Sequence, residues 1–118
     1  MDLKHLHLHV SNRPRAEAFY EKWFGMKVGQ RLDGLTFLND GCGFDLALMD
    51  DASPAPMPAW FHFGFRLASA DAVVSLHERM LAAGVRIAKP LAREEDFVSY
   101  RCTDPDGYAI EIYWEMVQ

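Results

Sequence analysis

The chain repeats one order of elements on either side of the proline-rich segment Ser53-Pro54-Ala55-Pro56-Met57-Pro58. Three prolines fix φ and remove hydrogen-bond donors, so this segment is neither a helix nor a central strand. On each side, a strand of alternating pattern leads into a helix ended by a glycine, Gly25 or Gly84, and strand-like segments follow. Two copies of mixed strand and helix favour a single domain of paired modules over a solenoid. We predict modules at 1–52 and 59–118, joined by a linker at 53–58.

The first module opens on strict alternation of apolar and polar residues over 3–10, which predicts a half-buried strand. Its core face carries Leu6, Leu8 and Val10, and its other face carries His5, His7 and His9. A helix is expected next, because apolar residues recur at helical spacing after a cap at Ser11 or Asn12. This helix has Pro14 in its first turn and an apolar face of Ala16, Phe19, Tyr20 and Trp23. The hairpin signals Asp33-Gly34 and Asn39-Asp40-Gly41 then separate predicted strands at 26–32, 35–39 and 43–50.

The second module has the same pattern. A strand is predicted from Trp60 to Leu67, with His62, Gly64 and Arg66 on the face opposite its phenylalanines. Ser69 is the expected cap of a second helix, whose apolar side includes Val73, Leu76, His77 and Met80. Further strands are predicted at 85–88, 97–102 and 108–115.

One acid in each module is predicted to face the same way as the histidines. Asp45 and Glu111 each lie four residues after an Asp-Gly turn and alternate with the residues that pack on the helix. Two curved sheets related by a twofold axis would bring these acids into one concavity with His5 and His62. Imidazole and carboxylate ligands suit Zn, Ni, Mn or Fe(II). We therefore predict one divalent metal ion held by His5, His62 and Glu111, and leave Asp45 open as ligand, base or bystander.

Composition excludes several classes of partner. The net charge of -5 and the pI near 5.4 argue against nucleic acid, whose binding needs clustered Lys and Arg. No apolar run is long enough for a membrane span, and the N-terminus lacks the features of a signal peptide. Cys42 and Cys102 form no metal-type pair and are interpreted as buried free thiols of a reducing compartment. The free thiols predict a cytoplasmic protein.

Several motifs resemble the glyoxalase / bleomycin-resistance / extradiol dioxygenase family, the vicinal oxygen chelate superfamily. The matching segments are His5, Val10-Ser11, Phe19-Tyr20, Phe24-Gly25-Met26, Phe61-His62-Phe63, Ala83-Gly84-Val85, and Asp104-Pro105-Asp106-Gly107 followed by Glu111. The resemblance implies an α+β fold of two βαβββ modules, forming an eight-stranded cup-like mixed sheet with outer helices, in a homodimer. It also implies metal ligands at His5, His62 and Glu111, with Asp45 where glyoxalase I has a fourth, acidic ligand.

Two classes of function follow as hypotheses. The first is a metal-dependent enzyme acting on a small substrate chelated through vicinal oxygens, a glyoxalase-like lyase or isomerase in preference to a ring-opening dioxygenase. Its catalytic candidates are Asp45 and Glu111, and its substrate-binding candidates are His7, His9, Arg66, Arg101 and Tyr113. The alternative is a non-catalytic protein of the bleomycin-resistance type that binds an antibiotic or toxin.

Overall fold

The computed structural model describes residues 1–117 and separates into two compact units, Met1–Pro56 and Met57–Gln118. Each unit contains one helix and a four-stranded mixed sheet in the order β-α-β-β-β. The predicted α+β class and the two βαβββ modules are therefore confirmed, with all eight strands present as two sheets. No helix among the described residues is long and apolar enough to cross a membrane.

Unit 1 consists of β1 (His5–Val10), α1 (Arg13–Phe24), β2 (Lys27–Leu32), β3 (Leu35–Asn39) and β4 (Asp45–Asp50). The sheet order is β1-β4-β3-β2, in which β1 and β4 are parallel and the other neighbours antiparallel. The two predicted hairpins join β2 to β3 and β3 to β4. Helix α1 packs against β4, so the histidine face of β1 lies on the opposite side of the sheet.

Unit 2 consists of β5 (Phe63–Arg66), α2 (Ala70–Ala82), β6 (Ile87–Arg93), β7 (Phe97–Thr103) and β8 (Ala109–Glu115). The sheet order is β5-β8-β7-β6, again with one parallel pair, β5 with β8. Helix α2 covers the face of β7 and β8 that carries Val98, Tyr100, Cys102, Ile110 and Ile112, all buried. The residues between these positions, including Arg101 and Glu111, therefore lie on the face away from the helix.

Local chemistry sets the ends of both helices. The side chain of Asn12, not Ser11, accepts a hydrogen bond from the backbone N–H of Arg15 and caps α1. Ser69 caps α2 in the same way through the N–H of Ala72. Gly25 ends α1 in the left-handed region at φ 63, which glycine adopts without steric cost.

The packed side of α1 includes one residue that the apolar pattern missed. Glu17 is buried beside Ala16 and Tyr20. Its carboxylate accepts hydrogen bonds from Arg31 Nη2 at 2.7 Å and from the Thr36 hydroxyl at 3.1 Å. These partners offset the cost of burying a charge. In turn, the hydrogen bond to Glu17 raises the pKa of Arg31. A hydrophobic periodicity cannot reveal such a site, because the stabilising partners are on other elements.

Three sequence predictions require correction. The predicted strand from Trp60 begins only at Phe63, because residues 59–60 form a turn after the prolines. The segment predicted at 85–88 is a longer strand, Ile87–Arg93, which tolerates Pro90 because β6 is an edge strand. Cys102 is buried as expected, but Cys42 is exposed, because it lies in the turn between β3 and β4.

The two thiols should differ strongly in reactivity. Burial raises the pKa of Cys102 to about 12, so its thiolate is scarce at neutral pH and reagents cannot reach it. Iodoacetamide at pH 7.5 is expected to modify one thiol per native chain, at Cys42. Peptide mass spectrometry before and after unfolding in guanidinium checks this assignment. Rapid modification of Cys102 in the native protein would contradict the buried position of β7.

Candidate metal centre

Three adjacent segments of unit 2 bring His62, Arg101 and Glu111 together. His62 immediately precedes the edge strand β5, Glu111 is on β8 and Arg101 is on β7. Glu111 has Arg101 of β7 as its antiparallel partner and Gly64 of β5 as its parallel partner. Directly opposite residues share a face of the sheet, so the topology itself gathers these groups on the side away from α2.

The three side chains are in mutual contact. His62 Nε2 lies 3.9 Å from Glu111 Oε2, and Arg101 Nε lies 3.7 Å from the same oxygen. Arg101 Nη2 donates to His62 Nε2 at 3.4 Å. The side chains of Arg101 and Glu111 are about a quarter exposed, and that of His62 is 34% exposed. The cluster is therefore partly shielded from water while remaining open to small molecules.

The ring of His62 is oriented by the backbone. Its Nδ1–H donates to the carbonyl oxygen of Trp60 at 3.0 Å. In the neutral imidazole, a proton on Nδ1 leaves the lone pair of Nε2 available to a cation. Metal-bound histidines commonly have such a carbonyl behind the ring. The sequence predicted His62 as a ligand but did not reveal the role of Trp60, because that role uses the main chain.

This geometry fits a divalent metal ion in part. Zinc bonds to imidazole nitrogen and to carboxylate oxygen at about 2.0–2.2 Å, so ligand atoms 3.9 Å apart can share one ion with little movement. Within neither unit do the described residues bring together three His, Cys, Asp or Glu side chains suited to a metal. Unit 2 thus contains two candidate ligands, His62 and Glu111, with the guanidinium of Arg101 beside them.

Tyr113 and Phe97 form an aromatic edge on the same sheet. Their rings stack with centroids 6.2 Å apart. A Cβ atom at Gly64 would lie 3.2 Å from Tyr113 Cε1 and 3.2 Å from the Glu111 carbonyl oxygen. The absence of a side chain at Gly64 therefore makes room for the tyrosine ring next to Glu111.

Arg66, the other predicted anion-binding residue of this unit, already has partners. Its guanidinium donates to Glu115 Oε1 at 3.2 Å and to the Glu115 carbonyl oxygen at 2.9 Å. An anionic substrate would have to compete with both contacts. Of the two predicted arginines, only Arg101 contacts His62 and Glu111.

In unit 1, the parallel pairing of β1 with β4 places His5 beside Asp45. Asn39 on β3 donates from Nδ2 to Asp45 Oδ1 at 3.1 Å. This amide positions the carboxylate and leaves its second oxygen available to another donor. The sequence pattern placed Asn39 at the end of a predicted strand and the start of a hairpin signal, but it did not reveal this contact between strands.

His7 and His9 are farther along the same strand. Their rings pack edge to face with centroids 5.2 Å apart, and His9 Nδ1 is 2.9 Å from Asp51 Oδ2. This hydrogen bond is the main reason that the pKa of Asp51 lies below its usual value. His9 is therefore held at the end of β1 by a partner that the sequence interpretation did not single out.

The strand register corrects the predicted equivalence of Asp45 and Glu111. His5 is the partner of Asp45 and His7 the partner of Ala47, whereas Glu111 is the partner of Gly64, two residues after His62. If the two histidines are superposed, the residue in the place of Glu111 is Ala47. Asp45 is one pair earlier on the same face, directly beside His5. A methyl group cannot bind a metal, so unit 1 has no acid at the position of Glu111.

Two βαβββ units, one of which brings a histidine and a glutamate together on the side of its sheet away from its helix, are typical of the vicinal oxygen chelate class. Residues 2–112 match the Glyoxalase/Bleomycin resistance protein/Dioxygenase superfamily. The chain belongs to this superfamily.

The chain is similar to other proteins over nearly its whole length. An uncharacterized protein of Pseudomonas aeruginosa is 34% identical, with 92% of this chain and 85% of that protein aligned. The structure of a possible glyoxalase from Bacillus cereus has 30% identity and a TM-score of 0.81, covering 95% of this chain and 97% of that one. The fosfomycin resistance protein FosX from Listeria monocytogenes has a TM-score of 0.85 at 23% identity, covering 99% and 95% of the two chains. The last similarity shows the fold alone.

Proposed function

We propose that the protein is a metal-dependent enzyme of the glyoxalase type, acting on a small substrate with two neighbouring oxygens. His62 and Glu111, with His5 as third ligand, would hold one divalent ion, Zn, Ni, Mn or Fe(II). The observation that supports this proposal best is the 3.9 Å separation of His62 Nε2 and Glu111 Oε2, with His62 Nδ1 anchored on a carbonyl. Membership of the superfamily supports it independently.

When bound, the ion would polarise the substrate oxygens and stabilise negative charge that develops in the transition state. The chain supplies the remaining functions. Asp45 is an ionisable carboxylate, held by Asn39, that can accept a proton from a carbon next to a carbonyl. Tyr113 and Phe97 offer an apolar edge for the body of the substrate. Proton transfer of this kind favours a lyase or isomerase over a dioxygenase.

Metal analysis of protein purified without an affinity tag tests this proposal. We expect about one equivalent of a divalent metal per chain, together with proton exchange or isomerisation of a vicinally oxygenated substrate in a screen. Iron as the bound metal, with oxygen consumption on a catechol, would instead favour a dioxygenase. A protein that neither contains nor takes up a divalent metal would refute the enzyme proposal.

One observation favours the alternative, a binding protein without catalysis. The positive charge of Arg101 lies beside the carboxylate of Glu111, and Arg101 donates to His62, so the negative charge of the cluster is balanced without a metal. In that case the aromatic edge at Tyr113 would hold an antibiotic or toxin. Ligand-induced quenching of tryptophan fluorescence that is unaffected by chelators would support this function.

The family assignment and the exposed apolar residues also lead us to propose a homodimer. Large apolar side chains are exposed at Leu3 in unit 1 and at Trp60, Met116 and Val117 in unit 2, and burial of such side chains between two copies of the chain would be favourable. Sedimentation velocity at micromolar concentration is expected to give twice the 13.5 kDa chain mass. A species of 13.5 kDa under the same conditions would contradict the proposal.

A further inference from the structure

Arg101 lies where its charge opposes that of a bound metal. Its guanidinium contacts both groups that would hold the ion, His62 at 3.4 Å and Glu111 at 3.7 Å. Charge-assisted hydrogen bonds are typically about 2.7–2.9 Å long, so neither contact is optimal. Arg101 Nε is shielded from solvent and has no hydrogen-bond partner among residues 1–117. The arginine therefore balances the charge of Glu111 while one of its own donors stays unsatisfied.

A divalent ion on His62 and Glu111 would bring two further positive charges next to this guanidinium. Like charges within about 4 Å repel strongly in a partly shielded site, and the carboxylate oxygen near Arg101 Nε is the same one that faces His62. Metal binding therefore requires Arg101 to turn away or to share its charge with an anion.

A small oxyanion satisfies this requirement. Guanidinium binds carboxylate and phosphate groups, and oxyanions of similar shape such as sulfate, through two parallel hydrogen bonds. Such an anion would engage the donors of Arg101 that now face His62 and Glu111, and it would also be attracted to the metal. Each ligand would then strengthen the binding of the other, and this coupling is reciprocal by thermodynamic necessity.

We infer that Arg101 is the counter-ion of Glu111 when no metal is bound, and that it competes with the divalent metal for the His62–Glu111 pair. An oxyanionic substrate that binds Arg101 relieves this competition. The inference rests on the proposed metal site and deepens it, because it assigns the substrate to the class of small molecules bearing a carboxylate, phosphate or similar oxyanionic group. Arg101 thereby couples occupancy of the metal site to occupancy of the substrate site.

The test is Mn²⁺ binding, followed by the electron paramagnetic resonance signal of free Mn²⁺ at constant ionic strength, with and without sulfate as the probe anion. We expect Arg101→Gln to bind Mn²⁺ about tenfold or more tightly than the wild type in the absence of sulfate. Sulfate should tighten Mn²⁺ binding to the wild type by about fivefold or more and leave Arg101→Gln unaffected.

Lys89 offers a matched control, because it is the cross-strand partner of Arg101 on β6 and is exposed. Lys89→Gln removes the same charge from the neighbouring strand without touching the His62 and Glu111 contacts, and it should change Mn²⁺ affinity by less than about threefold. If Lys89→Gln changed Mn²⁺ affinity as much as Arg101→Gln does, the effect would come from the overall positive charge of the surface, and direct competition by Arg101 would be overturned. Arg101→Lys keeps the charge without the planar fork and should lie between wild type and Arg101→Gln.

The outcomes separate this inference from the proposed function. If neither the wild type nor any variant binds Mn²⁺, the proposed metal site is refuted, and the inference is refuted with it. If the wild type binds Mn²⁺ and Glu111→Ala does not, but Arg101→Gln is no tighter than wild type, only the inference is overturned. Circular dichroism shows whether Arg101→Gln folds. If it does not fold, the wild type alone still tests the inference, because a Mn²⁺ affinity that sulfate does not change would overturn it.

Discussion

Replacing Glu111 by alanine is expected to weaken divalent-metal binding by more than about 100-fold while leaving the fold intact. Loss of even an outer partner of a metal ligand typically costs about 10–100-fold in affinity, and Glu111 is proposed as a direct ligand. The side chain lies on the sheet face away from α2, between the buried residues Ile110 and Ile112. Its removal therefore leaves the core packing in place.

Metal content by mass spectrometry and thermal unfolding by circular dichroism measure the two parts of this prediction. His62→Ala should behave in the same way, since it removes the other proposed ligand of unit 2. Glu115→Ala is the control, because Glu115 is an exposed acid on the same strand that pairs with Arg66 instead. Full metal occupancy in Glu111→Ala would refute the site.

Asp45→Asn should retain the metal but reduce turnover of an identified substrate by about 100-fold or more, as expected for loss of a general base. Asparagine has nearly the same shape and still accepts the hydrogen bond from Asn39 that Asp45 receives at 3.1 Å. Only the charge and the proton-accepting ability are lost. The register strengthens the expectation that the metal stays, because Ala47 occupies the place in unit 1 that Glu111 has in unit 2.

Steady-state kinetics alongside metal analysis distinguishes the roles of Asp45. Asp50→Asn is a suitable control, since it removes the same charge from β4 on the other face, where Asp50 pairs with Arg13. Loss of metal from Asp45→Asn would make Asp45 a fourth ligand and favour a site of the glyoxalase I kind. If neither metal content nor turnover changes, Asp45 is a bystander, and the result would favour a three-ligand, oxygenase-like site or a binding function.

The fold was predictable because its signals are local. Alternation over His5–Val10, the caps Asn12 and Ser69, and the turns at Gly34 and Gly107 each act within a few residues. Repetition of these signals in the same order revealed the two modules. Errors arose where one element depends on another, as at β6, where an edge position makes Pro90 acceptable in a strand.

The candidate site was only partly predictable. Period-two patterning identified the face of the sheet that carries His62 and Glu111, because alternation determines which way a side chain points. It could not determine which residues on different strands are neighbours. A two-residue shift of register preserves the face and changes every partner, which is why Asp45 was matched to Glu111 when Ala47 occupies that place.

The amino-acid sequence by itself therefore determined the order of elements, the helix ends and the polar face of each sheet, because propensity, capping and periodicity act along the chain. The tertiary structure alone decided the contacts between elements: Arg101 against His62 and Glu111, Asn39 against Asp45, and the buried Glu17 against Arg31 and Thr36. Such contacts depend on strand order and register, which arise from the packing of residues far apart in sequence.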